Sequence, residues 1–152
     1  MKYSLPLLIL LLLTACSKKN PPIKTEVINY TSTVDQAYLD TLDFKDQEVI
    51  AVSIDNQFYY VHKSGKSITT LAYDHKADEF SEGLARTRVN GKVGFFNRNL
   101  EMVIKPVYDF AFPFYKGTAE ICTGCKEKQE GDNSMLDGGE WKKIDRNGLI
   151  TE

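Results

Sequence analysis

Two cysteines three positions apart, in Cys122-Thr123-Gly124-Cys125, are the residues best suited to chemistry in this chain of 152 amino acids. Such a pair can be half of a zinc site, a thiol-exchange centre or a structural cystine. Zinc wants four ligands, and the two histidines, His62 and His75, do not sit at paired spacing. A catalytic dithiol belongs at the start of a helix after a strand, where the thiolate is stabilised. Here the pair follows the strand-like Ala119-Glu120-Ile121 and opens a polar stretch instead. A short disulfide between Cys122 and Cys125 that staples the base of that stretch is the reading carried forward, with free thiols and metal ligation as the alternatives.

The polar stretch, Lys126 to Glu140, contains Glu127, Glu130, Asp132, Asp137 and Glu140 among Gly131, Gly138 and Gly139. Calcium needs oxygen ligands at ordered spacing around a sharp turn, and no Asp-x-Asp-x-Asp-Gly order is present. A solvated, mobile loop is expected. Long loops on rigid scaffolds often carry binding, so Lys126, Glu127, Glu130, Asp132 and Asp137 are the candidate partner contacts. Asp74, His75 and Ser81 invite comparison with a hydrolytic triad. Adjacent strand residues point to opposite faces, and Ser81 lacks nucleophile-elbow glycines. Arg86, Arg88, Lys92 and Arg98 lie on one predicted hairpin; a solvated sheet face with cross-strand acids is expected there, and an anion or polysaccharide patch is the alternative. No catalytic residue, metal ligand or cofactor is assigned.

A third cysteine, Cys16, closes Leu13-Thr14-Ala15-Cys16 directly after an apolar N-terminal run. That tetrapeptide resembles a bacterial lipobox, with Lys2 as a thin positive n-region and Leu5 to Leu13 as the apolar core. Nine residues at ~1.5 Å rise span about 14 Å, roughly half of a ~30 Å hydrocarbon layer, which disfavours a permanent spanning helix. The resemblance implies a signal peptide over residues 1–15 and lipidation of Cys16 as the mature N-terminus, where two or three acyl chains make a stable anchor. Ser17 after the cysteine favours the outer membrane over inner-membrane retention.

The mature chain would then hold 18 basic and 21 acidic side chains, and nothing in that balance points to nucleic acid or to anionic lipid. Ser17-Lys18-Lys19-Asn20-Pro21-Pro22 opens a polar segment that is expected to act as a flexible tether over residues 16–47, with Ala37-Tyr38-Leu39 as a short helix or strand within it. From Glu48 the pattern changes to short runs of β-branched and aromatic residues separated by turn signals. Strands are predicted over Val49–Ile54, Phe58–His62, Ser67–Leu71, Leu84–Val89, Val93–Asn97 and Glu101–Ile104, with Asn90-Gly91 as a type I′ hairpin turn. Pro106 is expected to end the last of them.

A shift of 35 residues lays Phe58-Tyr59-Tyr60-Val61-His62-Lys63 on Val93-Gly94-Phe95-Phe96-Asn97-Arg98, and Tyr73-Asp74 on Tyr108-Asp109. With one residue fewer, Phe80-Ser81-Glu82-Gly83-Leu84-Ala85 falls on Phe114-Tyr115-Lys116-Gly117-Thr118-Ala119. A third copy starts at Glu140-Trp141-Lys142-Lys143-Ile144. Such a period signals units that bury little alone and pack on their neighbours. These segments, with Val103-Ile104-Lys105-Pro106-Val107-Tyr108-Asp109, resemble the WG-repeat family of bacterial envelope proteins. The family's tryptophan is replaced by Phe58 and Val93 in the first two copies, and its glycine by Lys142 in the third. The resemblance implies an all-β fold of tandem β-hairpin repeats over residues 48–152, with residues 126–140 as an insertion. It also implies a binding or scaffolding role without a shared catalytic centre. Phe110, Phe112, Phe114 and Tyr115, clustered near Pro113, are expected to pack between repeats.

The expected function is a membrane-anchored, non-enzymatic binding module of the bacterial envelope. It would be held by its N-terminal lipid, engage another envelope protein, and be able to pair with a second copy through an exposed edge. An inhibitor or immunity-type lipoprotein that neutralises one protein partner is the alternative; an envelope thiol or hydrolytic enzyme is disfavoured by the sparse histidines.

Overall fold

The computed structural model describes residues 28–130 and 133–151; the leader and Cys16 lie outside them. Almost every element is a strand. The first three-stranded unit comprises β2 (Val49–Ile54), β3 (Gln57–His62) and β4 (Lys66–Thr69), with the two-residue strand β1 (Ser32–Thr33) added at the edge of β4. Between β1 and β2 lies the single helical turn α1 (Gln36–Leu39), capped by the Asp35 carboxylate, which accepts from the Ala37 amide. A short hairpin of β5 (Ala72–Tyr73) and β6 (Lys76–Ala77) leads to the second unit: β7 (Leu84–Val89), β8 (Lys92–Asn97) and β9 (Met102–Tyr108). The third unit is β10 (Phe110–Ala111), β11 (Thr118–Thr123) and β14 (Glu140–Asp145). A separate hairpin of β12 (Lys126–Glu130) and β13 (Asn133–Asp137) is inserted between β11 and β14.

The repeat read from sequence is therefore a structural one. β2, β7 and β11 start at Val49, Leu84 and Thr118, offsets of 35 and 34 residues, and each pairs antiparallel with the strand that follows it in its unit. Asn90 and Gly91 both take positive φ, as a type I′ turn requires. Glu82-Gly83 and Lys116-Gly117 repeat that conformation one unit apart, and the two turns touch. Ser81 Oγ donates to the Phe114 carbonyl at 2.6 Å, and the Gly117 amide donates to the Glu82 carboxylate at 3.0 Å.

The units stack face to face. The second unit contributes Ala85, Phe96 and Leu100 to a core shared with Val49, Tyr60, Ile68 and Ala77 of the first. From its other face Leu84, Val93, Phe95 and Ile104 join Ala111, Phe114, Ala119, Ile121 and Ile144 of the third. A buried ion pair bridges these junctions. Arg86 donates from its backbone and from Nε to Asp78 Oδ2 at 2.8 and 3.0 Å, and from Nη1 to the Ala111 carbonyl at 2.8 Å, which ties all three units together.

Four expectations need correction. Arg86 is not on a solvated face; it is buried with Asp78. Pro106 does not end pairing: β9 continues to Tyr108, which pairs with Val93, and Pro106 sits in a bulge where no ladder N–H is required. The segment 126–140 holds a five-residue-per-strand hairpin where a loop was expected. Part of the expected tether belongs to the domain: β1 pairs with β4, the Val34 amide donates to the Gly65 carbonyl, and Tyr30 packs on the first core.

The bulge explains the glycine of the second unit. A Cβ on Gly94 would lie 2.5 Å from the Ile104 carbonyl oxygen and 2.6 Å from the Pro106 nitrogen, both backbone atoms. Gly94→Ala should therefore cost about 1–3 kcal/mol, seen as a lower midpoint in urea denaturation. Asp78→Asn strands a buried guanidinium and should cost about 3–5 kcal/mol in the same assay.

Candidate functional site

Among the described residues the third sheet is the last of the stack, and its two faces differ. On the inner face the cross-strand partners Ala119 and Ile144, with Ile121 and Ala111, are all buried in the core. On the outer face a row crosses three strands: Phe110 pairs with Cys122, and Cys122 pairs with Trp141. The next row holds Glu120 opposite Lys143, and beside it the Phe112 amide donates to the Glu120 carbonyl. Phe110, Phe112 and Trp141 form an aromatic shelf. Phe112 and Trp141 stack with centroids 6.0 Å apart and planes 29° apart, and Phe110 meets Phe112 edge-on at 5.0 Å.

In the second unit the position of Trp141 is held by Val93, which is fully buried by the third unit, whereas Trp141 is 41% exposed. The outer face of the third unit is thus the surface on which a further unit would stack. Lys143 and Glu120 occupy the places of Phe95 and Arg86, so the centre of the face is polar, as suits a terminal repeat. The aromatic shelf is the part that stays apolar.

The inserted hairpin stands beside the shelf. Its base is fixed by the Cys122–Cys125 disulfide and by Gly139, whose missing side chain leaves room for the Cys125 backbone and the Cys122 sulfur. Asp109 holds the same base from below: one carboxylate oxygen accepts from the Gly124 amide at 2.6 Å, and the other accepts from the Lys92 ammonium. These contacts, the one from Lys92 first, hold the Asp109 carboxyl below the ordinary aspartate range.

An open groove of about 970 Å³ runs between the shelf, Tyr73 and the hairpin, with Arg88, Asp109, Glu120 and Glu127 as its charged members. Of the residues proposed as partner contacts, Glu127 lines this groove next to Ser134 and Leu136, and its carboxylate accepts from the Ser134 hydroxyl. Lys126 faces Asp137 across the hairpin, one residue out of phase with Glu127 and so on its opposite face. Glu130 ends β12, and Asp132 lies outside the described residues.

The aromatic residues near Pro113 divide. Phe114 is core, as expected, whereas Phe110 and Phe112 belong to the shelf and Tyr115 is exposed on its turn. The four basic residues do not form one patch. Arg86 is buried, Lys92 meets Asp109, Arg98 lies over the Phe80 ring at 4.5 Å, and Arg88 alone reaches the groove. Asp74 and His75 form the tip of the β5–β6 turn, both at positive φ, and the Ser81 hydroxyl is spent on the Phe114 carbonyl. That geometry makes no triad. Among the described residues no three of His, Cys, Asp and Glu are grouped to hold a metal ion.

Fold and site together define a short stack of β-sheet repeats with an open terminal face. Residues 60–92 and 94–124 match the family model described as WG containing repeat, and the chain carries two such repeats in tandem over that segment. Repeats of this family are typically non-catalytic modules. No curated protein matches the chain, and no solved structure does.

Because the folded-state pKa of Asp109 is depressed, its hold on Gly124 is complete above the ordinary aspartate value. It is lost as pH falls through the lower folded value. The protection factor of the Gly124 amide, its exchange relative to an unstructured amide at the same pH, should fall over that acid window in the native chain and be low at all pH in Asp109→Asn.

Proposed function

We propose that this protein is a lipid-anchored, non-enzymatic binding module of the bacterial envelope that holds another envelope protein against the open face of its third repeat. The observation that carries this reading is the aromatic shelf. Phe110, Phe112 and Trp141 occupy a face that the second unit buries against a neighbour, and here they remain open to the groove. Clustered aromatics with a charged rim, here Arg88, Glu120 and Glu127, are the makings of an interface hot spot. The inserted hairpin, fixed at its base by the disulfide and Asp109, would form one wall of the contact.

The anchor rests on the sequence. Leu13-Thr14-Ala15-Cys16 supports cleavage before Cys16 and its acylation, which would place the protein in the envelope, with the outer membrane favoured by Ser17. Among the described residues no helix is long and apolar enough to cross a membrane.

Two measurements test the two halves. Cys16→Ser should move the protein from the membrane fraction to the soluble fraction of a cell lysate; retention in the membrane would refute the anchor. A C-terminally tagged mature chain should recover one stoichiometric protein from envelope extract. Trp141→Ala with Phe112→Ala should cut that recovery at least tenfold without lowering the thermal midpoint by more than a few degrees. Equal recovery by the double variant would refute the shelf as the contact.

A further inference from the structure

The stack has a second open position, at its other end. The first strand of each later unit has its outer backbone edge covered by chain arriving from the unit before. On β11 the cover is β10: Phe110 and Ala111 pair with Cys122 and Ile121, and the amides of Asp109 and Phe112 donate to the carbonyls of Cys122 and Glu120 at 2.9 and 2.8 Å. On β7 the Leu71 amide donates to the Arg86 carbonyl at 3.1 Å. The corresponding strand of the first unit is β2, and the residues equivalent to Arg86 and Arg88 are Ala51 and Ser53. Their outward N–H and C=O groups have no strand beside them among the described residues, since β2 is the end strand of its sheet.

Three features mark this edge as built to be covered. It contains no charge and no proline over Val49-Ile50-Ala51-Val52-Ser53-Ile54, so it lacks the usual devices that keep a free edge from pairing. Ile50 and Val52 are part-exposed, whereas the residues at the same places in β7 and β11, namely Ala85, Thr87, Ala119 and Ile121, are at most 3% exposed. The chain's own covering segments also show what fits: Thr70-Leu71-Ala72 and Phe110-Ala111-Phe112 are short, extended and uncharged, with Leu71 and Ala111 turned to the core.

We infer that the β2 edge is a second binding site, which takes an extended, uncharged peptide segment of a partner protein as an added antiparallel strand. The occupant would hydrogen-bond Ala51 and Ser53 as Phe112 and Asp109 hydrogen-bond Glu120 and Cys122, and it would place a small or aliphatic residue over Ile50 and Val52. This is strand addition at a sheet edge, where backbone bonds give affinity and alternate side chains give specificity. The site lies at the opposite end of the stack from the aromatic shelf and stands whether or not the shelf binds anything.

The test uses the full mature chain with Cys16→Ser, labelled with ¹⁵N, and as the probe a synthetic peptide copying residues 108–114 with Asp109→Asn, which leaves it uncharged. In the free chain the Ala51 and Ser53 amides should exchange with solvent at least tenfold faster than those of Glu120 and Cys122. Saturating peptide should slow them at least tenfold. Ala51→Pro removes an outward N–H without touching the bonds of β2 to β3, so it should abolish the effect while leaving the remaining amide spectrum unchanged. Slow exchange in the free chain at every dilution would mean that its own residues already fill the slot, and slow exchange lost on dilution would mean that a second copy does. Either result overturns the inference, as would peptide binding that survives Ala51→Pro.

Discussion

A three-stranded sheet that is apolar on both faces must be covered on both faces, and for the second unit the neighbouring sheets do it. The second unit meets the requirement in full: Ala85 and Phe96 are buried backward against the first unit, and Val93 and Phe95 forward against the third. Among the described residues each outer unit has a neighbouring sheet on one side only. What the terminal units do with their uncovered surface determines where the molecule can bind. The third unit replaces Phe95 with Lys143 and Arg86 with Glu120, which makes the middle of its outer face compatible with water, and concentrates its aromatic residues beside the inserted hairpin.

The same constraint accounts for the departures from the repeat pattern. A glycine is needed at Gly94 because the bulged strand β9 crosses within contact distance of its α-carbon. In the first unit β4 pairs with β3 in regular register, Tyr59 opposite Thr69, so the tyrosine there has room for its Cβ. In the third unit Ile144 bridges Ile150 after β14, and among the described residues no strand crosses Lys142. Loss of the glycine in the first copy follows from the regular register there, which leaves room for a side chain.

Much of this architecture was legible in the sequence because its signals are local. Alternating β-branched and aromatic runs gave β2 and β7 to the residue, and Asn90-Gly91 and the paired Glu82-Gly83 and Lys116-Gly117 marked the turns. What was not legible depends on register or on distance. The bulge around Pro106 is invisible in strand propensity, which says nothing of which residues face each other. The first strand of the inserted hairpin, Lys126-Glu127-Lys128-Gln129-Glu130, is polar throughout, so no apolar alternation announces it. The Asp78–Arg86 pair is joined across a loop, and its burial comes from Ala111 in another unit. Trp141 reads in the sequence as a repeat residue near the last unit; its place on the outer face of the third sheet is what turns it into a surface. The cysteine pair, read as a staple, sits under the edge of that surface.

The proposed binding role requires the Phe112–Trp141 shelf to be covered by a partner where the protein works. Hydroxyl-radical footprinting on intact cells and on the purified mature chain tests it most directly. Trp141 and Phe112 should oxidise rapidly in the purified chain and show at least several-fold protection in cells, with exposed Tyr115 modified equally in both. Equal oxidation of Trp141 in the two samples would contradict it.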